Sequence, residues 1–171
     1  MLKSIVLIGM PGCGKSAIGE IIAEKLKMTF IDVDAYIRES TKSTIAELFE
    51  NGEEGFRDIE ANAALELSQS APAVIATGGG VIKRYENILN LKKNGIIIYI
   101  NRPIQNIAGD IDVVARPLLA KEPSRLYKLL EERDHLYKSY CDYEVMNNSS
   151  IDDIVNNIIE IHIQANKWNG C

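Results

Sequence analysis

The chain has no long hydrophobic run, no excess of basic residues and no cluster of cysteines. Its uncharged apolar runs, such as residues 96–100, are much shorter than the span of about 20 residues that a membrane-crossing helix needs. The net charge of −5 disfavours nucleic acid as a partner, because phosphate backbones are bound by basic surfaces. These absences predict a protein that neither spans a membrane nor binds nucleic acid.

Cysteines are few, and the first residues carry no targeting signal. Cys13, Cys141 and Cys171 form an odd-numbered set whose spacing does not suit a metal site, which favours a reducing compartment. Residues 1–9 contain one Lys but neither a long apolar stretch nor a cleavage site of small residues. We therefore expect a cytoplasmic protein without a secretory signal.

Short apolar runs and helical patterns alternate along the chain, which is typical of an α/β fold with a parallel sheet between two layers of helices. The length suits a single domain over residues 1–171, and we expect a monomer because no long apolar stripe is left over. Strands are predicted at 4–9, 29–32, 73–76, 96–100 and 143–146. Helices are predicted at 17–27, at 43–69 with a break near Asn51, at 103–108, at 126–137 and after Ser150.

Residues 109–122 carry no clear period, although they include the acids Asp110 and Asp112 and the cations Arg116 and Lys121. A weakly patterned segment of this length in a compact domain is often a functional lid. A plain surface loop is the alternative.

Residues 9–16, GMPGCGKS, match the phosphate-binding pattern G-x-x-x-x-G-K-[ST] between the first predicted strand and helix. Glycines let successive N–H groups face one anion, and the helix N-terminus adds partial positive charge. Lys15 is expected to reach the β and γ phosphates, and Ser16 to join a Mg²⁺ shell. The length suits a small kinase. We expect ATP contacts at Gly12, Cys13, Gly14, Lys15, Ser16 and Ala17.

Cys13 has two interpretations. It is either a small tolerated residue, or a thiol next to a helix N-terminus whose alkylation blocks nucleotide binding. Protection by Mg-ATP would support the second interpretation.

Two acids follow the second predicted strand in the run FIDVD at 30–34. Side chains alternate along a strand, so Asp32 and Asp34 are expected on one side of it, near the phosphate loop. We expect one carboxylate to orient water around Mg²⁺ and the other to accept a hydrogen bond from an attacking hydroxyl. The alternative is that Asp34 only caps a helix that begins at Ala35.

Two arginines and a triple glycine suit a small anionic acceptor. Arg57 and Arg133 lie on predicted helices, and Gly78, Gly79 and Gly80 follow the third predicted strand. A guanidinium grips a carboxylate in a fork, and bare backbone allows close approach to a ligand. Taken singly, each arginine also suits a surface ion pair and the glycines a plain turn.

Six segments, taken together and in order, resemble the shikimate kinase family along nearly the whole chain. The resemblance implies a P-loop fold of the nucleoside-monophosphate-kinase type, with a five-stranded parallel sheet of order 2-3-1-4-5 and a mobile lid at about 109–122. It also implies transfer of the ATP γ-phosphoryl group to the 3-hydroxyl of shikimate, on the way to chorismate and the aromatic amino acids. The segments are GMPGCGKS at 9–16, FIDVD at 30–34, GFRDIE at 55–60, ATGGG at 76–80, RPLL at 116–119 and EERDHLYKSYCD at 131–142.

The same resemblance implies roles for the candidate residues. Asp34 would hold the substrate hydroxyls and act as the base, and Asp32 would support the Mg²⁺ shell through water. Arg116, in the lid, would touch both ATP and the transferring phosphate. Shikimate would be bound by Arg57, Arg133 and Gly78 to Gly80, with the arginines on its carboxylate.

The early lid departs from the family pattern. Members usually carry a basic residue there that stacks on adenine, whereas this chain reads IAGDID at 107–112. We therefore predict weak selection of the base, with Arg102 and Lys121 as possible substitutes for the missing cation. Two rival functions stay open: another small-molecule kinase of the same fold, such as a gluconate kinase, and a nucleotide-dependent binding module without transfer chemistry.

Overall fold

The structure, a computed structural model, describes residues 2–110 and 123–167. Five parallel strands form one sheet of order β2-β3-β1-β4-β5, which confirms the predicted order. The three central strands are buried on both faces, as expected for a sheet between two layers of helices. The strands are β1 (Ser4–Ile8), β2 (Thr29–Asp32), β3 (Ala73–Ala76), β4 (Gly95–Asn101) and β5 (Tyr143–Met146).

Helices connect the strands, and a short 3₁₀ helix (Val81–Lys83) follows β3. The predicted break near Asn51 is confirmed, because one helix ends at Glu50 and the next begins at Glu53. Ser150 caps the last helix as predicted, since its hydroxyl accepts from the Asp153 N–H at 3.2 Å. The helices are α1 (Lys15–Leu26), α2 (Val33–Thr41), α3 (Ile45–Glu50), α4 (Glu53–Ser68), α5 (Tyr85–Asn94), α6 (Ile104–Gly109), α7 (Pro123–Tyr140) and α8 (Ile151–Lys167).

The junction between β2 and α2 corrects one interpretation of the sequence. The strand ends at Asp32 and the helix begins at Val33, so strand alternation does not extend to Asp34. Asp32, not Asp34, caps the helix, because its Oδ1 accepts from the Ala35 N–H at 3.0 Å. Asp34 lies in the first turn of α2, where a negative charge is favoured by the helix dipole.

Helix α1 lies unusually close to the sheet at Gly19. A Cβ atom at this position would lie 2.7 Å from the Phe30 ring and 3.3 Å from Leu7 Cδ1. The missing side chain therefore sets the spacing between α1 and the strands β1 and β2. That spacing matters because Ser16 lies at the start of α1 and Asp32 at the end of β2.

The carboxyl ends of parallel strands meet at one edge of a sheet, and ligands of such folds gather there. Two contacts show the loops meeting at this edge. Asn147, which follows β5, donates to the Cys13 carbonyl at 2.8 Å, and Arg102, which follows β4, donates to the Gly12 carbonyl at 3.2 Å. Across residues 2–110 and 123–167, no helix combines the length and apolar character that a bilayer crossing demands.

Candidate active site

The loop between β1 and α1 curls into an anion cradle. Gly9, Gly12 and Gly14 have φ angles of 147°, 85° and 98°, which residues with a side chain rarely adopt. Lys15 is 8% exposed and its ammonium group donates to the carbonyls of Gly9 and Met10, both at 2.9 Å. The cation is thus held against the loop by the loop's own backbone.

Cys13 lies inside this loop and is fully buried. Its sulfur lies 3.5 Å from the Lys15 ammonium nitrogen. Its carbonyl accepts from the Asn147 side chain, so the residue is held from both sides. A reagent in solvent could reach this thiol only after the loop opens.

A cavity of about 350 Å³ lies over the cradle. Its walls come from the loop and start of α1, from the β2–α2 junction, and from the segment after β3. Asp32 and Asp34 both line it, so the two acids share one site although strand alternation does not place them there. The lining residues are Pro11, Gly12, Gly14, Lys15, Ser16, Ala17, Asp32, Asp34, Arg38, Thr77, Gly78 and Gly79.

Ser16 and Asp32 offer oxygen ligands at one point of this cavity. The Ser16 hydroxyl donates to Asp32 Oδ2 at 2.7 Å. Hydroxyl and carboxylate oxygens are the donors that Mg²⁺ prefers, and Mg²⁺ keeps several waters when it bridges protein and phosphates. Within the described parts of the chain, no three His, Cys, Asp or Glu residues group closely enough to hold a metal unaided. The pair therefore fits an Mg²⁺ ion whose shell is completed by phosphate and water.

A second cavity, of about 270 Å³, adjoins the first. Pro11, Asp34, Gly78 and Gly79 line both, so the carboxylate of Asp34 lies at the boundary between them. Gly78 is close against it, since a Cβ there would lie 3.0 Å from Asp34 Oδ1. The other lining residues of the second cavity are Ile45, Phe49, Phe56, Arg57, Glu60, Gly80, Arg125, Leu129 and Arg133.

Arg57 and Glu60 form a buried ion pair on α4. Arg57 is 6% and Glu60 is 1% exposed, and Nη1 lies 2.6 Å from Oε2. Arg57 also reaches Glu53 at 3.2 Å. Burial raises the pKa of Glu60 from its ordinary value of 4.5, Arg57 opposes that rise, and Asp34 adds to it. The guanidinium is thus held by acids on one side before any ligand arrives.

Arg57 is held further by its surroundings. Its guanidinium carbon lies 5.2 Å from the Phe56 ring centroid and 5.5 Å from that of Phe49, within the range of cation–π attraction. It packs so tightly on Gly80 that a side chain there would displace the guanidinium from its place. The structure thus shows why a glycine follows β3 at this place.

Arg133 reaches the same cavity from α7. Its Nη1 donates to the Gly79 carbonyl at 3.1 Å, which joins two residues 54 positions apart in the chain. The structure therefore brings Asp34, Arg57, Gly78 to Gly80 and Arg133 together around one cavity. Arg116 and Lys121 lie outside the described residues, as does the predicted lid apart from its first two positions.

Three residues of the site were missed by reasoning from the sequence. Glu60 lies one helical turn from Arg57 in the run GFRDIE, so the i,i+3 spacing of opposite charges was a usable signal. Arg38 follows Asp34 by one turn of α2 and lines the cavity over the cradle, which we call the phosphate cavity. Arg125 lies near the start of α7 and lines the second cavity, which we call the acceptor cavity, and no pattern in the sequence points to it.

Arg102 occupies the side of the phosphate loop that faces the early lid. Besides its bond to the Gly12 carbonyl, it forms an ion pair with Asp110. One of the acids that replace the expected lid cation is therefore paired with an arginine from the preceding loop. The described residues thus retain a cation next to the phosphate loop.

Comparison with known proteins points to one family. The family model described as shikimate kinase matches residues 11–162. Shikimate kinase of Clostridium botulinum (strain Eklund 17B / Type B) is 52% identical over 163 residues, which cover 95% of this chain and 99% of that protein. Shikimate kinase of Clostridium beijerinckii is 48% identical over 161 residues, which cover 94% and 95%.

Comparison with solved structures points to the same family. Shikimate kinase from Acinetobacter baumannii in complex with shikimate superimposes with a TM-score of 0.89 at 35% identity, covering 98% of this chain and 96% of that chain. A gluconokinase from Sinorhizobium meliloti has a TM-score of 0.63 at 19% identity over 96% and 93% of the two chains. The second likeness shows the fold alone.

Proposed function

The chain belongs to the shikimate kinase family, and on that premise we propose that it transfers the γ-phosphoryl group of ATP to the 3-hydroxyl of shikimate. The products are shikimate 3-phosphate and ADP, in the route to chorismate and the aromatic amino acids. The single observation that carries the proposal is that Asp34 lines both the phosphate cavity and the adjoining cavity of Arg57 and Arg133. An acceptor hydroxyl held there faces the phosphate loop.

The phosphate side binds ATP mainly through the backbone. The N–H groups of residues 12–17 and the start of α1 face the phosphates. Lys15 exchanges its bonds to the Gly9 and Met10 carbonyls for the β and γ phosphate oxygens. Because those carbonyls hold the ammonium group in the cradle beforehand, little side-chain freedom is lost on binding.

In this proposal Ser16 and Asp32 would hold Mg²⁺, with Asp32 acting through water. When bound, the ion neutralises charge on the β and γ phosphates. Asp32 keeps its second oxygen on the Ala35 N–H, which holds the carboxylate in place as it faces the ion.

The acceptor cavity holds shikimate at its carboxylate and at its 3-hydroxyl. Arg57 and Arg133 bind the carboxylate, and the backbone of Gly78 to Gly80 approaches the ring. Asp34 accepts a hydrogen bond from the 3-hydroxyl and takes its proton as the bond from that oxygen to the γ-phosphorus forms. The bond from the γ-phosphorus to the bridging oxygen of ADP breaks in the same step.

Arg116 completes the proposed machinery by analogy with the family. Closure of the lid at about 109–122 brings its guanidinium to the transferring phosphate and excludes water. We also propose that the protein acts as a cytoplasmic monomer.

A direct assay separates this proposal from its rivals. ADP release is measured with ATP, Mg²⁺ and one acceptor at a time: shikimate, gluconate, nucleoside monophosphates or none. We expect release with shikimate that exceeds all other conditions, and phosphate transfer confirmed by the mass of the product. Faster release with gluconate would support the gluconate kinase alternative, and no acceptor-dependent release would leave only a nucleotide binder.

A further inference from the structure

Tyr137 is a buried side chain of α7 for which the proposed reaction has no role. It is fully buried, yet its phenol donates to the Gly79 carbonyl at 2.5 Å. Burial raises the pKa of Tyr137 above its ordinary value of 10, so the phenol stays protonated and remains a donor at every physiological pH. A polar group buried this deeply and aimed at a substrate-binding loop calls for an explanation beyond packing.

The Gly79 carbonyl accepts two hydrogen bonds from one face of α7. One comes from Tyr137 and the other, at 3.1 Å, comes from Arg133 four residues earlier. A carbonyl oxygen has two lone pairs, so both bonds can exist together. Arg133 is also the proposed ligand of the substrate carboxylate. If its guanidinium turned to the substrate, the carbonyl would lose one partner and keep the other.

Gly79 also lies against the phosphate loop. A Cβ atom at Gly79 would lie 2.8 Å from Cδ of Pro11. Movement of the glycine segment, Gly78 to Gly80, toward the phosphate loop is therefore limited by Pro11, and Tyr137 holds the Gly79 carbonyl. The backbone of Gly78 to Gly80, which lines the acceptor cavity, depends on both contacts.

Tyr137 is itself held by the sheet. Its ring stacks on Tyr99 of β4, with centroids 5.0 Å apart and planes inclined by 20°. The Tyr99 hydroxyl donates to Asp134 Oδ1 at 3.0 Å, and Lys138 pairs with the same carboxylate at 2.7 Å. The Tyr137 ring, whose hydroxyl reaches Gly79, is therefore held in place by its packing on Tyr99.

We infer that Tyr137 is a positioning residue for the acceptor, which holds the Gly79 carbonyl so that Arg133 can leave it for the substrate carboxylate without displacing the glycine segment. This inference rests on the proposed function. Without the phenol, the Gly79 carbonyl would depend on Arg133 alone, so Arg133 would be drawn away from the substrate carboxylate and shikimate binding would weaken. Nucleotide binding would not weaken, because Arg133 lines the acceptor cavity and not the phosphate cavity.

Two matched substitutions test the inference. Tyr137→Phe and Tyr99→Phe each remove one buried phenolic hydroxyl from the same stacked ring pair, and only the first removes a bond to Gly79. For Tyr137→Phe we expect the KM for shikimate to rise about five- to tenfold, the loss typical of one buried hydrogen bond, with the KM for ATP changed by less than about twofold. For Tyr99→Phe we expect a lower melting temperature and a shikimate KM within about twofold of the wild type.

Two results would overturn the inference: a shikimate KM of Tyr137→Phe within about twofold of the wild type, or a parallel rise in both KM values with a matching loss for Tyr99→Phe. If Tyr137→Phe does not fold, 3-fluorotyrosine at position 137 keeps ring and hydroxyl, and its fluorine resonance should shift on addition of shikimate alone. An unchanged resonance at saturating shikimate would equally reject the inference. A wild type without shikimate-dependent ADP release refutes the proposed function itself, which separates the two failures.

Discussion

The two adjoining cavities are built in opposite ways. The phosphate cavity takes half of its lining from one contiguous loop and helix start, residues 11–17, whereas the acceptor cavity takes its charged groups from α2, α4 and α7. Phosphate can be bound by backbone N–H groups, which every residue carries, so a short curled segment is enough. A carboxylate and particular hydroxyls need side chains from several directions, and only tertiary folding supplies them.

The cations of the two cavities also differ in how they are held. Lys15 is bonded to neutral carbonyls of its own loop, which phosphate oxygens can readily replace. Arg57 is paired with the buried carboxylate of Glu60 and with Glu53. Lys15 therefore exchanges the carbonyls for phosphate oxygens when the nucleotide binds, whereas the guanidinium of Arg57 keeps its acidic partners when the acceptor binds. Substitutions should affect the two halves differently.

The largest effect is expected at the boundary between the cavities. Asp34→Asn removes the proposed base while keeping its size, and we expect kcat to fall by about 10²- to 10⁴-fold. The KM for ATP should stay within about twofold, because the phosphate cradle is untouched. Asp58→Asn, the same change on the exposed side of α4 where Asp58 pairs with Arg84, is the matched control and should leave kcat unchanged. A wild-type kcat for Asp34→Asn would remove this residue from catalysis.

Next comes a comparison of two arginines that each pair with two acids. Arg57→Ala leaves Glu60 buried without its partner. We therefore expect the free energy of unfolding, measured in urea, to fall by about 3–5 kcal/mol and the shikimate KM to rise sharply. Arg84→Ala breaks pairs with the exposed Glu54 and Asp58 and should leave the free energy of unfolding nearly unchanged. Equal losses for the two variants would contradict the claim that the acceptor side is built on a buried pair.

A smaller effect concerns pH. The folded-state pKa of Glu60 is raised above 4.5, so the folded protein binds its proton more tightly than the unfolded chain does. As pH rises from 4.5 through the folded pKa, this group should therefore lower the free energy of unfolding, and Glu60→Gln should abolish that downward contribution. Urea unfolding at a series of pH values across this range measures the contribution of Glu60 to the free energy of unfolding.

Glu47 provides a control of opposite sign. Hydrogen bonds from Thr44 lower the pKa of Glu47 below 4.5, so its stabilisation is present above that value and is lost as pH falls through the folded pKa. Glu47→Gln should remove a contribution that rises with pH. Identical pH profiles for wild type and Glu60→Gln would show that Glu60 does not titrate differently on folding.

The smallest effect is expected at the base of the nucleotide. The early lid carries acids where a stacking cation is usual, so we expect the ratio of kcat/KM for ATP over GTP to stay below about tenfold. Arg102→Ala should raise the KM for both nucleotides by a similar small factor, because Arg102 contacts the Gly12 carbonyl. Lys93→Ala, an exposed cation of α5, is the control for lost charge. A very large preference for ATP would contradict this prediction.

The phosphate side could be read from the sequence, whereas the acceptor side could be read only in part. Residues 9–16 specify their own conformation through glycines and a helix start, and the strand order followed from the family resemblance. The cap on α2 was misread because Asp32 and Asp34 are equally plausible caps, and only the observed end of β2 decides between them. Tyr137 could not be found at all, since its partner Gly79 lies 58 positions away and a buried tyrosine usually means packing.

Gly19 gives a warning to anyone who would engineer this protein for heat resistance. Alanine in place of a helical glycine normally adds about 0.5–1 kcal/mol of stability, so Gly19→Ala would look attractive. Its methyl group would lie against the Phe30 ring and push α1 outward, carrying Ser16 away from Asp32. Overpacking of this kind costs about 1–3 kcal/mol, which exceeds the gain in helix propensity, so replacing this helical glycine by alanine should lower the melting temperature and weaken the Mg²⁺ site together.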